Sequence, residues 1–224
     1  VKRWRFLLTI CVFVFTFGYS ASIQASFFSY PHLLQVDRDR VRFDKPSLAP
    51  MAFFAFCLRY PEDCEERKKR FRMRPVMLTE KRWSDLVQVN LEVNRSITPQ
   101  ANAGGVLNEE WVVSPSAGDC NDYAVTKRHE LLSRGWPSRA LLLAEVVIPS
   151  GEHHLVLVVS TRDGDLILDN LNSVVQPVSK ANYRWVRAQT GTNPKFWSEI
   201  SVPHSVKVAS ISVSALRSTP DYKL

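Results

Sequence analysis

Cys120 is the residue in this sequence best placed to do chemistry. It stands in Gly118-Asp119-Cys120-Asn121-Asp122-Tyr123-Ala124, a glycine-led and acid-flanked run that opens a helical pattern. A cysteine in the first turn of a helix meets unpaired N–H groups and the positive end of the helix dipole. Both favour the thiolate, which is the nucleophilic form. Gly118 would let a substrate approach the backbone. The same cysteine would also serve as a small buried apolar residue, because free cysteine packs well. Thiol catalysis needs a base and a group that orients the base, so the rest of the chain must supply a histidine and a carboxylate.

His153 and His154 start an apolar run, and in a strand their side chains point to opposite faces. Asp169 lies within Leu166-Ile167-Leu168-Asp169-Asn170-Leu171, where a buried acid is costly unless paired. The plainer reading is a strand end, with Asp169-Asn170 beginning a turn. Hairpin arithmetic links the two groups. If residues 161–164 form the loop, Ser160 pairs with Asp165 and Asp169 falls opposite Val156. Asp169 is then a diagonal same-face neighbour of His154, about 7–8 Å away between backbones. A two-residue loop at Asp163-Gly164 keeps both on one face but one pair further apart. Only an odd loop would bring His153 to Asp169, so parity favours His154. In such a triad His154 takes the thiol proton and returns it to the leaving amine, while Asp169 fixes its tautomer. Backbone N–H groups at the helix start, including that of Cys120, would form part of an oxyanion site, and Trp111 is a candidate for the pocket around it.

The elements that must position these residues read as helices first and strands afterwards. A short apolar helix is expected over 48–60, ending at Pro61, and a second over 79–95, where Thr79 can cap and Trp83, Leu86, Val87 and Leu91 recur at helical spacing. Residues 97–113 read as loop around Pro99 and Gly104-Gly105. The third helix runs from Gly118-Asp119 to about Arg134, stopped by Gly135 and Pro137. Strands follow over 141–148, 153–160 and 165–170, the last two joined through Asp163-Gly164, with later candidates over 183–188 and 206–213. That order predicts an α+β fold with an antiparallel sheet.

The N-terminus bounds the setting. Lys2, Arg3 and Arg5 precede an apolar run over 6–17, then small residues through Ala21 and Ala25. Basic, apolar and small in that order is the pattern of a cleavable signal peptide over 1–25, leaving 26–224 as one catalytic domain. The apolar run is shorter than the ~20 residues a spanning helix needs, so the membrane enters only during export. Three cations of the formal net charge of +7 leave with the segment. Much of the remaining excess is the run Arg67-Lys68-Lys69-Arg70, read as a solvated face. Export argues against a nucleic-acid partner. Beyond the signal segment, which carries Cys11, the chain keeps Cys57, Cys64 and Cys120. In an oxidising compartment Cys57 and Cys64, seven apart with Pro61 turning the chain between them, are the natural pair, and Cys120 is left free.

These residues resemble the bacterial transglutaminase-like cysteine proteinases, a branch of the papain-like transglutaminase fold. The resemblance runs through Ala49-Pro50, Trp83, Val89-Asn90, Val93-Asn94, the Cys120 motif and Arg134-Gly135-Trp136-Pro137. It continues through His154-Leu155-Val156-Leu157 and Leu168-Asp169-Asn170-Leu171. It implies a triad of Cys120, His154 and Asp169 and a periplasmic protease acting on an envelope or surface protein. Members that cut surface adhesins need calcium near the nucleophile, which would fall here to Asp119, Asn121 and Asp122. Those members are acidic just after the cysteine, where this chain has Asn121, so one carboxylate is missing, although Asn still offers a carbonyl oxygen. Asp119 and Asp122 would equally cap the helix. Two other functions use the same frame: acyl transfer to an amine, as in transglutaminases, and a binding module without catalysis.

Overall fold

The computed structural model describes residues 39–65, 75–102 and 109–203, all within the compact unit Leu33–Leu224. The signal segment 1–25, the basic run at 67–70, Gly104-Gly105 and the strand expected over 206–213 lie outside the described residues.

The chain enters through β1 (Arg42–Ser47) and then makes α1 (Met51–Arg59) and α2 (Pro61–Cys64). Pro61 ends the first helix as expected and also starts the next, because its missing N–H costs nothing at a first helical position. The Cys57–Cys64 disulfide staples these two helices. Closing so short a loop is worth roughly 2–3 kcal/mol by chain entropy. Helix α3 (Glu80–Ser96) begins at Thr79, whose hydroxyl accepts the Arg82 N–H at 3.3 Å, and buries Leu86, Val89 and Val93 along one stripe. The segment expected as plain loop after it holds β2 (Thr98–Pro99), which pairs in parallel with β3 (Ala117–Gly118). That pairing leads directly into α4 (Cys120–Ser133). Gly135 takes φ +84°, and the N–H groups of Gly135 and Trp136 cap the carbonyls of Leu132 and Leu131 at 3.0 Å. This is the left-handed helix stop that glycine makes cheaply.

The sheet follows as β4 (Leu141–Val147), β5 (His153–Thr161), β6 (Gly164–Leu168), β7 (Gln176–Pro177), β8 (Arg184–Gln189) and β9 (Trp197–Ser201). Its seven strands lie in the order β1-β9-β8-β4-β5-β6-β7, each antiparallel to its neighbours. The alternation along the central strands explains why both faces are buried. Leu141, Leu143, Leu155, Leu157, Leu166 and Leu168 join the cluster that includes the helices' apolar stripes. Leu142, Ala144, Val146, Val156, Val158 and Ile167 form a second cluster with Trp185 and Ile200. Near-continuous Val/Leu/Ile runs are what a strand covered on both sides requires.

Strands β1, β7 and β9 carry weak local signals. β1 is largely exposed, contains Pro46 and shifts register against β9 between Phe43 and Pro46, so its pairing rather than its composition makes it a strand.

Candidate active site

The start of α4 is built by reciprocal capping. The Asp119 carboxylate accepts the Asn121 N–H at 2.9 Å and also the N–H of Asp122. Asp122 answers by accepting the Asp119 N–H at 3.0 Å on one oxygen and the Val112 N–H at 2.8 Å on the other. Burial raises the Asp122 carboxyl above its usual range, against the two backbone donors. A Cβ on Gly118 would collide with that carboxylate. The glycine expected to admit a substrate therefore makes room for Asp122.

Cys120 is a free, half-buried thiol one residue beyond this cap. Its sulfur accepts the backbone N–H of Leu155. Burial pushes the thiol up to about 12; the Leu155 N–H pulls down, and the charges of Asp119, Glu109 and Glu152 push up again. This overturns the expectation that the helix start would favour the thiolate. Desolvation and three nearby carboxylates outweigh a partial positive charge of about one half at the helix end.

The hairpin between β5 and β6 has the first of the two registers considered above. Ser160 pairs with Asp165 and Leu157 with Leu168, and the ladder continues to Thr161 and Gly164, so the turn itself is Arg162-Asp163. Asp169 is the next residue after β6, opposite Val156, at a strand end as the plainer reading held. Even parity then puts His154 on its side. His154 is 5 % exposed, and its Nε2 lies 2.8 Å from Asp169 Oδ1. A carboxylate only accepts, so Nε2 carries the proton and Nδ1 holds the lone pair of a base.

Asp169 is anchored from several directions. Its Oδ1 also accepts the Leu171 N–H at 3.0 Å, its Oδ2 accepts the Tyr183 hydroxyl at 2.5 Å, and its main-chain oxygen accepts Asn94 Nδ2 at 2.9 Å. Burial by itself would raise this carboxyl. The hydrogen bond and charge of His154, with those of Tyr183 and Leu171, hold it below the usual carboxylate range. His153 points the other way and pairs with Glu145 at 2.5 Å, which in turn accepts Arg187 Nε at 2.5 Å.

Two cavities meet at the thiol. One, of about 380 Å³, is lined by Met51, Glu109, Trp111, Cys120, His154 and Arg187 among others. The second, of about 430 Å³, includes Asp119, Cys120, Glu152, His154 and Asn170. Trp111 is buried, packs against Phe53 and Phe56 at 6.0 and 6.2 Å between ring centres, and donates its indole N–H to Glu109 at 3.0 Å. Its N–H is thus engaged, and its place is as a wall of the first cavity.

The family model for the bacterial transglutaminase-like cysteine proteinases matches residues 44–205, which include every residue of this site. This chain belongs to that family. It is a cysteine proteinase by family, and its α+β architecture is the transglutaminase-like one. Among solved structures, Legionella pneumophila LapG is 25% identical with a TM-score of 0.42, over 47% of this chain and 62% of that one. The match therefore spans less than two thirds of LapG. A calcium-bound LapG structure is 23% identical with a TM-score of 0.46, covering 52% of this chain and 68% of that one. Curated protein sequences give no match.

The three residues considered for calcium are arranged here as caps. Both Asp122 oxygens and the Asp119 carboxylate hold backbone N–H groups, and the Asn121 amide donates to Glu109. Among the described residues no group of three or more His, Cys, Asp or Glu side chains is placed to hold a metal. A hard cation asks for six to eight oxygens; each capping carboxylate keeps lone pairs beyond its N–H bonds, and Asp119 and Asp122 line a cavity of about 270 Å³ with Gln100, Asn102 and Glu110, whose oxygens could add to theirs.

Four neighbours of the site went unread in the sequence as part of it: Leu155, Tyr183, Glu109 and Lys127. Lys127 is 1 % exposed, with its Nζ 5.9 Å from the centre of the Tyr123 ring. Burial lowers it to about 7, against the opposing pull of Asp169. Position 127 lies two helical turns from Cys120, which was the available signal; Tyr183 had none, being distant in sequence from every partner.

Proposed function

We propose that this proteinase hydrolyses a peptide bond of an exported envelope or surface protein, with Cys120 as nucleophile, His154 as acid and base, and Asp169 as the group that orients it. The observation that carries this reading is the buried contact of His154 Nε2 with Asp169 at 2.8 Å, which leaves Nδ1 as the base while His154 and the free thiol line the same two cavities. Export is supported by the basic, apolar and small residues at the N-terminus and by a Cys57–Cys64 bridge that leaves only Cys120 unpaired among the described cysteines.

With its pKa raised by burial, the thiol enters the reaction protonated. Sγ of Cys120 attacks the scissile carbonyl as its proton passes to His154 Nδ1. Asp169 stabilises the imidazolium so formed. The tetrahedral oxyanion would be held by backbone N–H groups at the start of α4. The imidazolium then protonates the leaving amine, and the C–N bond breaks to give a thioester. Water, losing a proton to His154, adds to the thioester; the carboxylic product leaves and the thiol is restored.

The test is to incubate envelope proteins with the purified protein or its Cys120→Ala variant and to map new N-termini by mass spectrometry. Termini generated only by the wild type support hydrolysis. Their absence, or incorporation of a labelled amine without cleavage, overturns it.

A further inference from the structure

We infer that Tyr183 is a positioning residue for the His154–Asp169 pair, holding the carboxylate in the orientation that the imidazole needs. This rests on the reading of Cys120 and His154 as thiol and base.

Three observations converge on it. Its hydroxyl donates to Asp169 Oδ2 at 2.5 Å, the oxygen that His154 does not use. Its ring meets the His154 ring edge-on, with centres 6.1 Å apart and planes at 71°. On its other side Tyr183 lines an open cavity of about 720 Å³, together with Ile148, Pro149 and Trp185 but with neither His154 nor Asp169. Tyr183 is thus a partition as well as a donor. It ties down one carboxylate oxygen, stops the other from rotating away from Nε2, and separates the pair from water in that cavity.

The two roles have opposite electrostatic consequences. The phenolic hydrogen bond takes up part of the carboxylate charge; losing it strengthens the pull of Asp169 on the imidazolium proton and moves the reactivity profile of the thiol to higher pH. Losing the partition admits water, which screens the carboxylate and moves that profile back down. The other ionisable groups lining the cavities with His154 are Cys120 on α4, Asp119 at its cap, Glu109, Glu152 and His153 at the start of β5, Glu145 on β4 and Arg187 on β8. Lys127 on α4 acts on Asp169. None of these is altered by substitution at Tyr183.

The experiment reads the rate at which iodoacetamide alkylates Cys120, followed on its own peptide by mass spectrometry, from mildly acidic to alkaline pH. It compares the full chain with Tyr183→Phe, Tyr183→Ala and His154→Ala, and melting temperatures are recorded alongside. Apart from an alkaline rise as the thiol itself ionises, the wild-type rate should rise where His154 Nδ1 is free to take the thiol proton. In Tyr183→Phe that rise should move up by about one pH unit, the size expected for one hydrogen bond to a charged group. In Tyr183→Ala it should lie below that of Tyr183→Phe. A Tyr183→Phe profile superimposable on the wild type, or displaced downward, overturns the role of Tyr183. If His154→Ala also leaves the profile unmoved, the thiol–base reading beneath it falls as well.

Discussion

The backbone N–H of Leu155, the residue after His154, hydrogen-bonds to the sulfur of Cys120. Helix α4 and strand β5 are therefore tied at the two atoms that matter most, the thiol and the main chain carrying the imidazole. The same contact is one donor against three nearby carboxylates, so it orients the sulfur without ionising it.

The balance around the thiol predicts how it reacts. Because the Cys120 pKa is raised, the fraction of thiolate is small through neutral pH and grows only as the medium becomes alkaline. Glu152, exposed at the mouth of the second cavity, contributes to that rise. Glu152→Gln should speed alkylation of Cys120 at neutral pH by about twofold, the modest effect of one solvent-screened charge. Slower or unchanged labelling would show that this charge does not reach the sulfur.

Asp169 links catalysis to acid stability. Its folded-state pKa is depressed, so the stability it contributes is complete above the unfolded value of about 3.9 and is lost as pH falls through the folded value. Asp169→Asn should cut kcat by about 10²–10⁴, as expected when the orienting group of a triad is lost. Urea melts should show the stability gap between wild type and Asp169→Asn closing below about pH 4. A gap that stays constant in acid would contradict the depressed pKa.

Gly118 and Asp122 should behave as one unit. Gly118→Ala forces a methyl group into the Asp122 carboxylate and should destabilise the fold by about 1–3 kcal/mol. Asp122→Ala strips acceptors from the Asp119 and Val112 N–H groups and should cost about 1–2 kcal/mol. Once that carboxylate is gone the methyl group has space, so the double variant should lose less than the two singles together. Additive losses in thermal melts would mean that the clash is relieved elsewhere.

Calcium offers a direct check on the use of these acids as caps. Where Asp119 and Asp122 serve as caps alone, proteolysis and melting temperature are unchanged by a calcium chelator. Activity lost on chelation and regained with added calcium would show that the same carboxylates both cap the helix and hold the ion.

Read from the sequence alone, α3 with its Thr79 cap, α4 with its Gly135 stop, the β5–β6 register and the pairing of Cys57 with Cys64 came out as found, whereas α2 went unread and the hairpin turn lies one residue earlier than Asp163-Gly164. Each of the former depends on contacts between residues close along the chain. The parity that selects His154 over His153 belongs with them, since strand alternation and one tight turn are local rules. Distant contacts decided the rest. Strand β1 exists because it pairs with β9, which β8 holds on its other side, and nothing in Arg42–Ser47 requires extended structure. Tyr183 reaches Asp169 only after the chain passes through β7 and returns to the sheet. The charge state of Cys120 reverses the local expectation, because a helix dipole is written in neighbouring residues whereas burial and the approach of Glu109 and Glu152 are created by folding. The sequence by itself determined which residues could do chemistry and on which face each would lie; tertiary packing alone decided how dry, how charged and how tightly held they are.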